Sequence, residues 1–202
     1  MLSKLYLGLS LVLGIGIGLI AHSAITTIAS KHGGESSGHD PHATSDHAPD
    51  ETRVQISRRA TITLEYPPEQ AIQLFTAEGE TYWLGDLGWN PAMLRGDGFH
   101  KNDVFAVGNN TFIVADYDTA NGTVKYARVE TGKSAGIVDI SISAESSGSV
   151  VEVAYNMTGL SDDGDNALAE MTDEVFATHI ASWRTAIEAN ATKIQNWLAS
   201  RN

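Results

Sequence analysis

The sequence predicts an α+β domain in which an antiparallel sheet of about six to seven strands is followed by one long C-terminal helix. Three observations support this prediction. Short segments with alternating apolar and polar residues recur between residues 59 and 159. Turn-forming pairs such as Asn121-Gly122 separate these segments. From about Asp165 to Leu198 the chain has no proline or glycine and carries apolar residues at helical spacing.

Residues 1–30 form an apolar segment that is typical of a membrane anchor or a signal peptide. Lys4 precedes an apolar run that is longer than most secretory signals and close to the length of about 20 residues that spans a bilayer. The positive charge before this run predicts that the rest of the chain is translocated. In a bacterium we therefore expect a single-pass inner-membrane protein with a periplasmic C-terminal domain, or a periplasmic or secreted protein if the segment is cleaved.

Residues 31–52 predict a disordered tether, because they are rich in Gly, Ser, Asp, Pro and His and contain almost no large apolar side chain. Four histidines in the tether are candidate ligands for a soft divalent ion: His32, His39, His42 and His47. Their spacing fits no fixed metal site, so the tether is either merely solvated or a weak, loose metal binder. No cofactor is expected elsewhere.

Residues 53–202 form the predicted folded domain. The alternation in "RATITLEY" predicts a first strand that ends at Pro67-Pro68, where a proline can open a helix. The next segment, "PEQAIQLFTAEGETYWLGD", predicts one or two short helical turns, and "GWNPAMLRGDG" returns the chain to the sheet. Further strands are predicted at "DVFAV", "TFIVADY", "TVKYARV", "GIVDISIS" and "SVVEVAYNMTG".

The last part of the domain predicts one uninterrupted amphipathic helix. Its apolar positions are Leu168, Met171, Val175, Trp183, Ile187, Ile194 and Leu198. The acidic segment "SDDGDN" before this helix lacks the alternating aspartates and the distant glutamate of a calcium loop. We therefore interpret this segment as a helix cap.

Composition and motifs exclude several classes of function. The formal net charge of −12 would repel nucleic acid, and the absence of cysteine excludes disulfides and thiolate chemistry. The sequence contains no HExxH and no glycine-rich phosphate loop. We predict no catalytic residues, and an enzyme is less favoured than a binding module.

The order of strand, short helices, antiparallel strands and long helix resembles the START-like, or helix-grip, superfamily, which includes polyketide cyclases and lipid-transfer domains. The resemblance covers residues 57–198. Beyond element order it rests on Tyr66-Pro67-Pro68-Glu69, Trp83, Trp89-Asn90-Pro91, Gly96-Asp97-Gly98, Tyr155 and Trp183. It implies a curved sheet wrapped around the helix and a cavity between them that takes apolar ligands, with no universal catalytic residues.

Strand parity and helix spacing then give the expected cavity wall. The candidate ligand-binding residues are Trp83, Tyr126, Arg128, Val153, Tyr155, Val175, His179 and Trp183. His179 either orients a ligand or acts as a general base, or it is a core histidine that a backbone carbonyl satisfies. The Arg128 guanidinium either pairs with a ligand carboxylate or phosphate, or its side chain extends from the end of the strand into solvent.

These observations favour a membrane-anchored, extracytoplasmic domain that binds a hydrophobic or lipid-like ligand. Two alternatives remain open. One is an accessory or interaction subunit of a membrane protein complex, and the other is a cyclase-type enzyme.

Overall fold

The computed structural model describes residues 53–201, which form seven strands, five α-helices and two 3₁₀ turns. In chain order these are β1 (Gln55–Leu64), α1 (Pro68–Ala71), a 3₁₀ turn (Ile72–Phe75), α2 (Thr81–Leu84), a 3₁₀ turn (Gly85–Leu87), β2 (Ala92–Arg95), β3 (Val104–Val107), β4 (Asn110–Asp118), β5 (Thr123–Glu130), β6 (Ser134–Glu145), β7 (Gly148–Gly159), α3 (Asp162–Glu170), α4 (Asp173–Ala189) and α5 (Ala191–Ala199).

The strands form one curved antiparallel sheet in the order β1-β7-β6-β5-β4-β3-β2. Each strand from β2 to β6 pairs with the next along the chain, and β1 pairs with β7 over its whole length. Adjacent hairpins need only short turns, and Gly122 supplies a left-handed residue (φ 66°) in the turn between β4 and β5. The predicted antiparallel α+β fold is therefore confirmed.

The end of β1 follows the expected proline rule. Pro67 is the N-cap of α1, and Pro68 occupies its first turn, where the missing proline N–H leaves no helical hydrogen bond unmade. The short helical turns that follow bury Ile72, Leu74 and Phe75 almost completely. This segment covers one end of the inner sheet face.

The C-terminal region contains three helices, which differs from the prediction of one helix over residues 165–198. The first break lies at Met171-Thr172, where Thr172 becomes the N-cap of α4 by accepting a hydrogen bond from the Val175 N–H. The second lies at Asn190, whose side-chain amide donates to the Ala186 carbonyl oxygen. Neither break involves proline or glycine. Both use a short polar side chain that competes with the helix for backbone groups.

The segment before α3 is a helix cap, as predicted. The Ser161 hydroxyl accepts a hydrogen bond from the Gly164 N–H, and the first turn carries Asp162, Asp163 and Asp165. Carboxylates at this end of a helix interact favourably with its dipole. The Asp165 carboxylate also accepts the Val54 N–H and pairs with Arg53, so it fastens α3 to the start of β1.

The inner face of the sheet and α4 enclose the main core. The buried face of α4 consists of Phe176, His179, Ile180, Trp183 and Ile187. Val175, which the four-residue spacing placed on this face, is 37% exposed. A four-residue step turns a helix by about 40° more than one revolution, so three such steps move a residue by about 120° around the axis.

No helix within residues 53–201 is long and apolar enough to cross a membrane. The predicted membrane segment, residues 1–30, and the predicted tether, residues 31–52 with its four candidate metal-binding histidines, lie outside the described residues.

Candidate functional site

A cavity of about 640 Å³ lies between the sheet and α4. This volume is within the range of small-molecule sites. Strands β3 to β7 supply one wall, and α4 supplies the other. Its lining residues include Leu84, Trp89, Phe105, Val107, Phe112, Tyr126, Val138, Ile140, Tyr155, Met171, Val175 and Trp183. The resemblance predicted a cavity in this position, and the wall is mainly apolar.

Three aromatic rings form the apolar wall on β3, β4 and β5. Phe105 and Phe112 stack with their ring centroids 5.0 Å apart, and Tyr126 meets both rings edge-on. The Tyr126 hydroxyl donates a 2.7 Å hydrogen bond to the Phe75 carbonyl oxygen. Because its hydroxyl is already bonded, Tyr126 offers a ligand its ring.

Six of the candidate ligand-binding residues line the cavity: Tyr126, Arg128, Tyr155, Val175, His179 and Trp183. Val153 and Trp83 do not line it. Val153 is fully buried on β7, next to the edge strand β1 on which α4 packs. Strand parity identified its face correctly, but parity does not give the position along the strand at which the cavity lies, and Tyr155, two residues further along β7, does line it.

Trp83 belongs to an aromatic cluster beside the cavity. It packs against Phe75 and Trp183, with ring centroids 6.0 Å and 5.6 Å away. Its indole N–H donates to the Leu74 carbonyl oxygen at 2.8 Å. Trp83 therefore stabilises the helical turns that close this end of the domain. Trp183, its partner on α4, is 5% exposed and forms part of both the core and the cavity wall.

Arg128 points into the cavity wall and is mostly buried, so the predicted alternative in which it leaves for solvent is wrong. Its side chain is 14% exposed. The Nε atom donates to Asn110 Oδ1 at 2.8 Å, and a terminal nitrogen donates to Glu130 Oε2 at 3.1 Å. Lys133 Nζ lies 3.2 Å from the other Glu130 oxygen. The guanidinium is thus already paired in the structure.

His179 is 4% exposed, and its Nδ1 atom is buried without a hydrogen-bond partner. Within residues 53–201, the His179 imidazole therefore makes no hydrogen bond to a backbone carbonyl of the kind expected for a core histidine. Its ring meets Trp183 edge-on at 5.4 Å. Burial, and secondarily the charge of Arg128, lowers the pKa of His179 to about 4. The imidazole is neutral at neutral pH and offers one donor and one acceptor.

Glu80 also lines the cavity, and the sequence analysis did not identify it. It is 8% exposed, and its carboxyl group makes no hydrogen bond or ion pair with the part of the chain that the structure describes. Burial raises the pKa of Glu80 to about 8. The irregular turns between α1 and α2 place this residue, and such turns have no periodicity that a sequence pattern could reveal.

Tyr155 lies on β7 and lines the cavity. Its ring packs against Phe176 at 5.1 Å, and its hydroxyl has no hydrogen-bond partner among the described residues. Burial raises the pKa of Tyr155 to about 12, while Arg128 lowers it and Glu80 raises it further. The hydroxyl therefore stays protonated and is available to a ligand.

A possible metal-binding cluster lies away from the cavity, at Asp97, His100 and Asp103. The Asp103 Oδ2 atom already accepts hydrogen bonds from the N–H groups of Asp97, Gly98 and His100. The Asp97 Oδ1 atom lies 3.0 Å from His100 Nδ1 and pairs with it. These bonds hold the loop between β2 and β3 in shape, which accounts for the cluster without a metal.

No family model and no curated protein sequence matches this chain. Among solved structures, the ginseng major latex-like protein 151 from Panax ginseng has a TM-score of 0.52, covering 67% of this chain and 97% of that one at 9% identity. Ara h 8.0201 has a TM-score of 0.51, covering 71% of this chain and 99% of that one at 16% identity. These likenesses concern the fold alone, and they confirm the α+β helix-grip fold that the element order predicted.

Proposed function

We propose that this protein binds a hydrophobic small molecule in the cavity between its sheet and α4. The observation that carries the proposal is the cavity of about 640 Å³, whose wall combines aromatic rings and aliphatic side chains with a few polar groups. Enclosing a ligand there would remove its apolar surface from water, which contributes about 25 cal/mol for each Å² buried. A carrier or sensor role suits this arrangement.

The proposal includes a location. Residues 1–30 anchor the protein in the inner membrane, residues 31–52 act as the tether, and the domain lies on the extracytoplasmic side. The apolar N-terminal run and the position of Lys4 support this arrangement. Detection of a mature N-terminus near residue 24 would refute the anchor and leave export intact. A membrane-held carrier would exchange its ligand with lipid or with a neighbouring membrane protein.

Blocking the cavity tests the binding function. Val138 is 4% exposed and lies on the cavity wall, between Tyr126 and Tyr155 in the register of the sheet. Val138→Trp should fill part of the cavity and strongly reduce uptake of 1-methylpyrene, measured by equilibrium dialysis and direct excitation of the probe. The matched control is Val129→Trp, because Val129 is 39% exposed and does not line the cavity.

Equal uptake by the wild type and by a folded Val138→Trp variant would contradict the proposal. Near-ultraviolet circular dichroism would establish that each variant is folded. If wild-type protein takes up no probe at all, the accessory-subunit hypothesis becomes the better account.

A further inference from the structure

Four buried or half-buried polar side chains on the cavity wall have no hydrogen-bond partner among the described residues. They are the Glu80 carboxyl, the Tyr155 hydroxyl, the His179 imidazole and the Trp183 indole N–H. Glu80 and His179 are more than nine-tenths buried. Leaving a buried polar group unbonded is costly, and native proteins rarely do so without a reason. A ligand that bonds to these groups would supply one.

One linked set of ion pairs lies on the cavity wall, and Glu80 is not part of it. Arg128, Glu130 and Lys133 form this set, with Glu170 among the other charged residues lining the cavity. The titratable groups elsewhere on the wall are Glu80, Tyr126, Tyr155 and His179. Glu80 has no cation within ion-pair distance in the described structure. Burial therefore holds it in the uncharged carboxylic acid form, which both donates and accepts hydrogen bonds.

Glu80 and Tyr155 line the same cavity. Tyr155 pairs with Val138 in the sheet, and Val138 pairs with Tyr126. The charge of Glu80, when present, acts on the hydroxyls of both tyrosines. The Tyr126 hydroxyl already donates a hydrogen bond to the Phe75 carbonyl oxygen. Of these three side chains, Glu80 and Tyr155 are therefore the ones available to bond to a ligand.

We propose that the ligand of this cavity carries an uncharged hydroxyl or carbonyl oxygen at its buried end, held by the Glu80 carboxyl and the Tyr155 hydroxyl. The inference deepens the binding function proposed above and rests on it. His179 lines the same cavity and offers a further neutral hydrogen-bonding group.

Charged ligand groups fit this part of the cavity less well. An ammonium group would lose its hydration on entering the cavity and would need an ionised Glu80 as its partner. It would also be repelled by the positive charge of Arg128, which acts within the cavity on His179 and Tyr155. A carboxylate would find Arg128 already bonded to Glu130 and Asn110. A purely apolar tail would leave Glu80 and Tyr155 without partners.

A matched series of fluorescent probes tests the inference on the full-length chain. The probes are 1-methylpyrene, 1-pyrenemethanol, 1-pyrenemethylamine and pyrene-1-carboxylate, which share one ring system and differ in the polar group. Energy transfer from the four tryptophans to the pyrene reports binding. The protein variants are wild type, Glu80→Leu, Glu80→Gln and the surface control Glu145→Leu, all measured in the same detergent.

The deciding quantity is the ratio of the affinity for 1-pyrenemethanol to the affinity for 1-methylpyrene, compared between each variant and the wild type. The two probes partition differently between water and detergent, but this difference is the same for every protein and cancels in the comparison. We expect Glu80→Leu to lower this ratio about three- to tenfold, the range that one neutral hydrogen bond contributes. Glu80→Gln should keep most of the ratio, since an amide is neutral and still donates and accepts. Tyr155→Phe should lower the ratio as well.

Each other outcome overturns a definite part of the account. If the methyl and alcohol probes bind but Glu80→Leu leaves their ratio unchanged, this inference fails and the binding function stands. If the amine binds tightest and Glu80→Leu abolishes that preference, Glu80 is a counterion and the inference is wrong. If the carboxylate binds tightest, the polar end lies at Arg128 instead. If no probe binds, the proposed binding function fails together with this inference.

Discussion

Replacing Glu80 by leucine should stabilise the domain at neutral pH and change how its stability depends on pH. Burial raises the pKa of Glu80 from the ordinary value of 4.5 to about 8. Since one pKa unit corresponds to about 1.4 kcal/mol, ionising this carboxyl costs about 5 kcal/mol more in the folded protein than in the unfolded chain. The wild type bears this cost in full only above about pH 8, and the substitution removes it at every pH.

The sign follows from where each state releases the Glu80 proton. The unfolded chain releases it near pH 4.5, whereas the folded protein keeps it until about pH 8. Raising the pH through this window therefore favours the unfolded chain, and the free energy of unfolding falls. Between about pH 5 and about pH 7.5 this single group should cost the wild type about 3 kcal/mol.

Urea denaturation of residues 53–202, followed by circular dichroism at several pH values, measures the effect. The difference in unfolding free energy between Glu80→Leu and wild type should grow by about 3 kcal/mol from about pH 5 to about pH 7.5. Other titrating groups contribute equally to both proteins and cancel in this difference. The exposed substitution Glu145→Leu should give a difference that does not change with pH. A flat difference for Glu80→Leu as well would refute the assignment of Glu80 as a buried, unpaired acid.

Further predictions concern the core, the cavity charge, a tight glycine contact and the tether. Trp183→Ala should cost about 3–5 kcal/mol of unfolding free energy in urea titrations, because this nearly buried side chain packs against Phe75, Trp83 and His179; a loss below about 1 kcal/mol would place it in open space. Arg128→Met should raise the pKa of His179 above about 4, as followed by NMR of its ring protons, because Arg128 lowers it. That pKa should still stay below the ordinary value of 6.5, because burial is the larger cause; no change on substitution would place the guanidinium too far away to act. Gly164→Ala should lower the melting temperature, because an added Cβ would collide with the Lys133 carbonyl oxygen at the packing of α3 on the sheet; an unchanged melting temperature would contradict that packing. Deleting residues 31–50 should leave the melting temperature unchanged, and zinc titration should show weak, multi-site binding to the tether histidines; one tight stoichiometric site would contradict the tether interpretation.

The fold was predictable from the sequence because its strands carry strong local signals. In β6 and β7 the alternation separates buried Val138, Ile140 and Val151 from exposed Ser141 and Ser143, so both the strands and their inner face follow from the pattern. The turns at Asn121-Gly122 and the prolines after β1 fix the boundaries. The breaks at Thr172 and Asn190 were missed because a single polar residue within a long apolar periodicity is a weak signal.

The candidate site was predictable only in part. Residues on regular elements, such as Tyr126 on β5 and His179 on α4, were placed by periodicity. Glu80 could not be placed in this way, because it enters the cavity from irregular turns whose course depends on tertiary packing around Trp83. The bonding of Arg128 to Asn110 also could not be predicted, since it depends on the register between β4 and β5.

The position of a bound probe tests the central claim most directly. Intermolecular nuclear Overhauser effects can be recorded between 1-pyrenemethanol and the methyl groups of the full-length protein. We predict contacts with Val138, Ile140 and Val175, which line the cavity. Contacts confined to Ile113 and Val129, which are each 39% exposed on β4 and β5 and do not line the cavity, would contradict a ligand site between the sheet and α4.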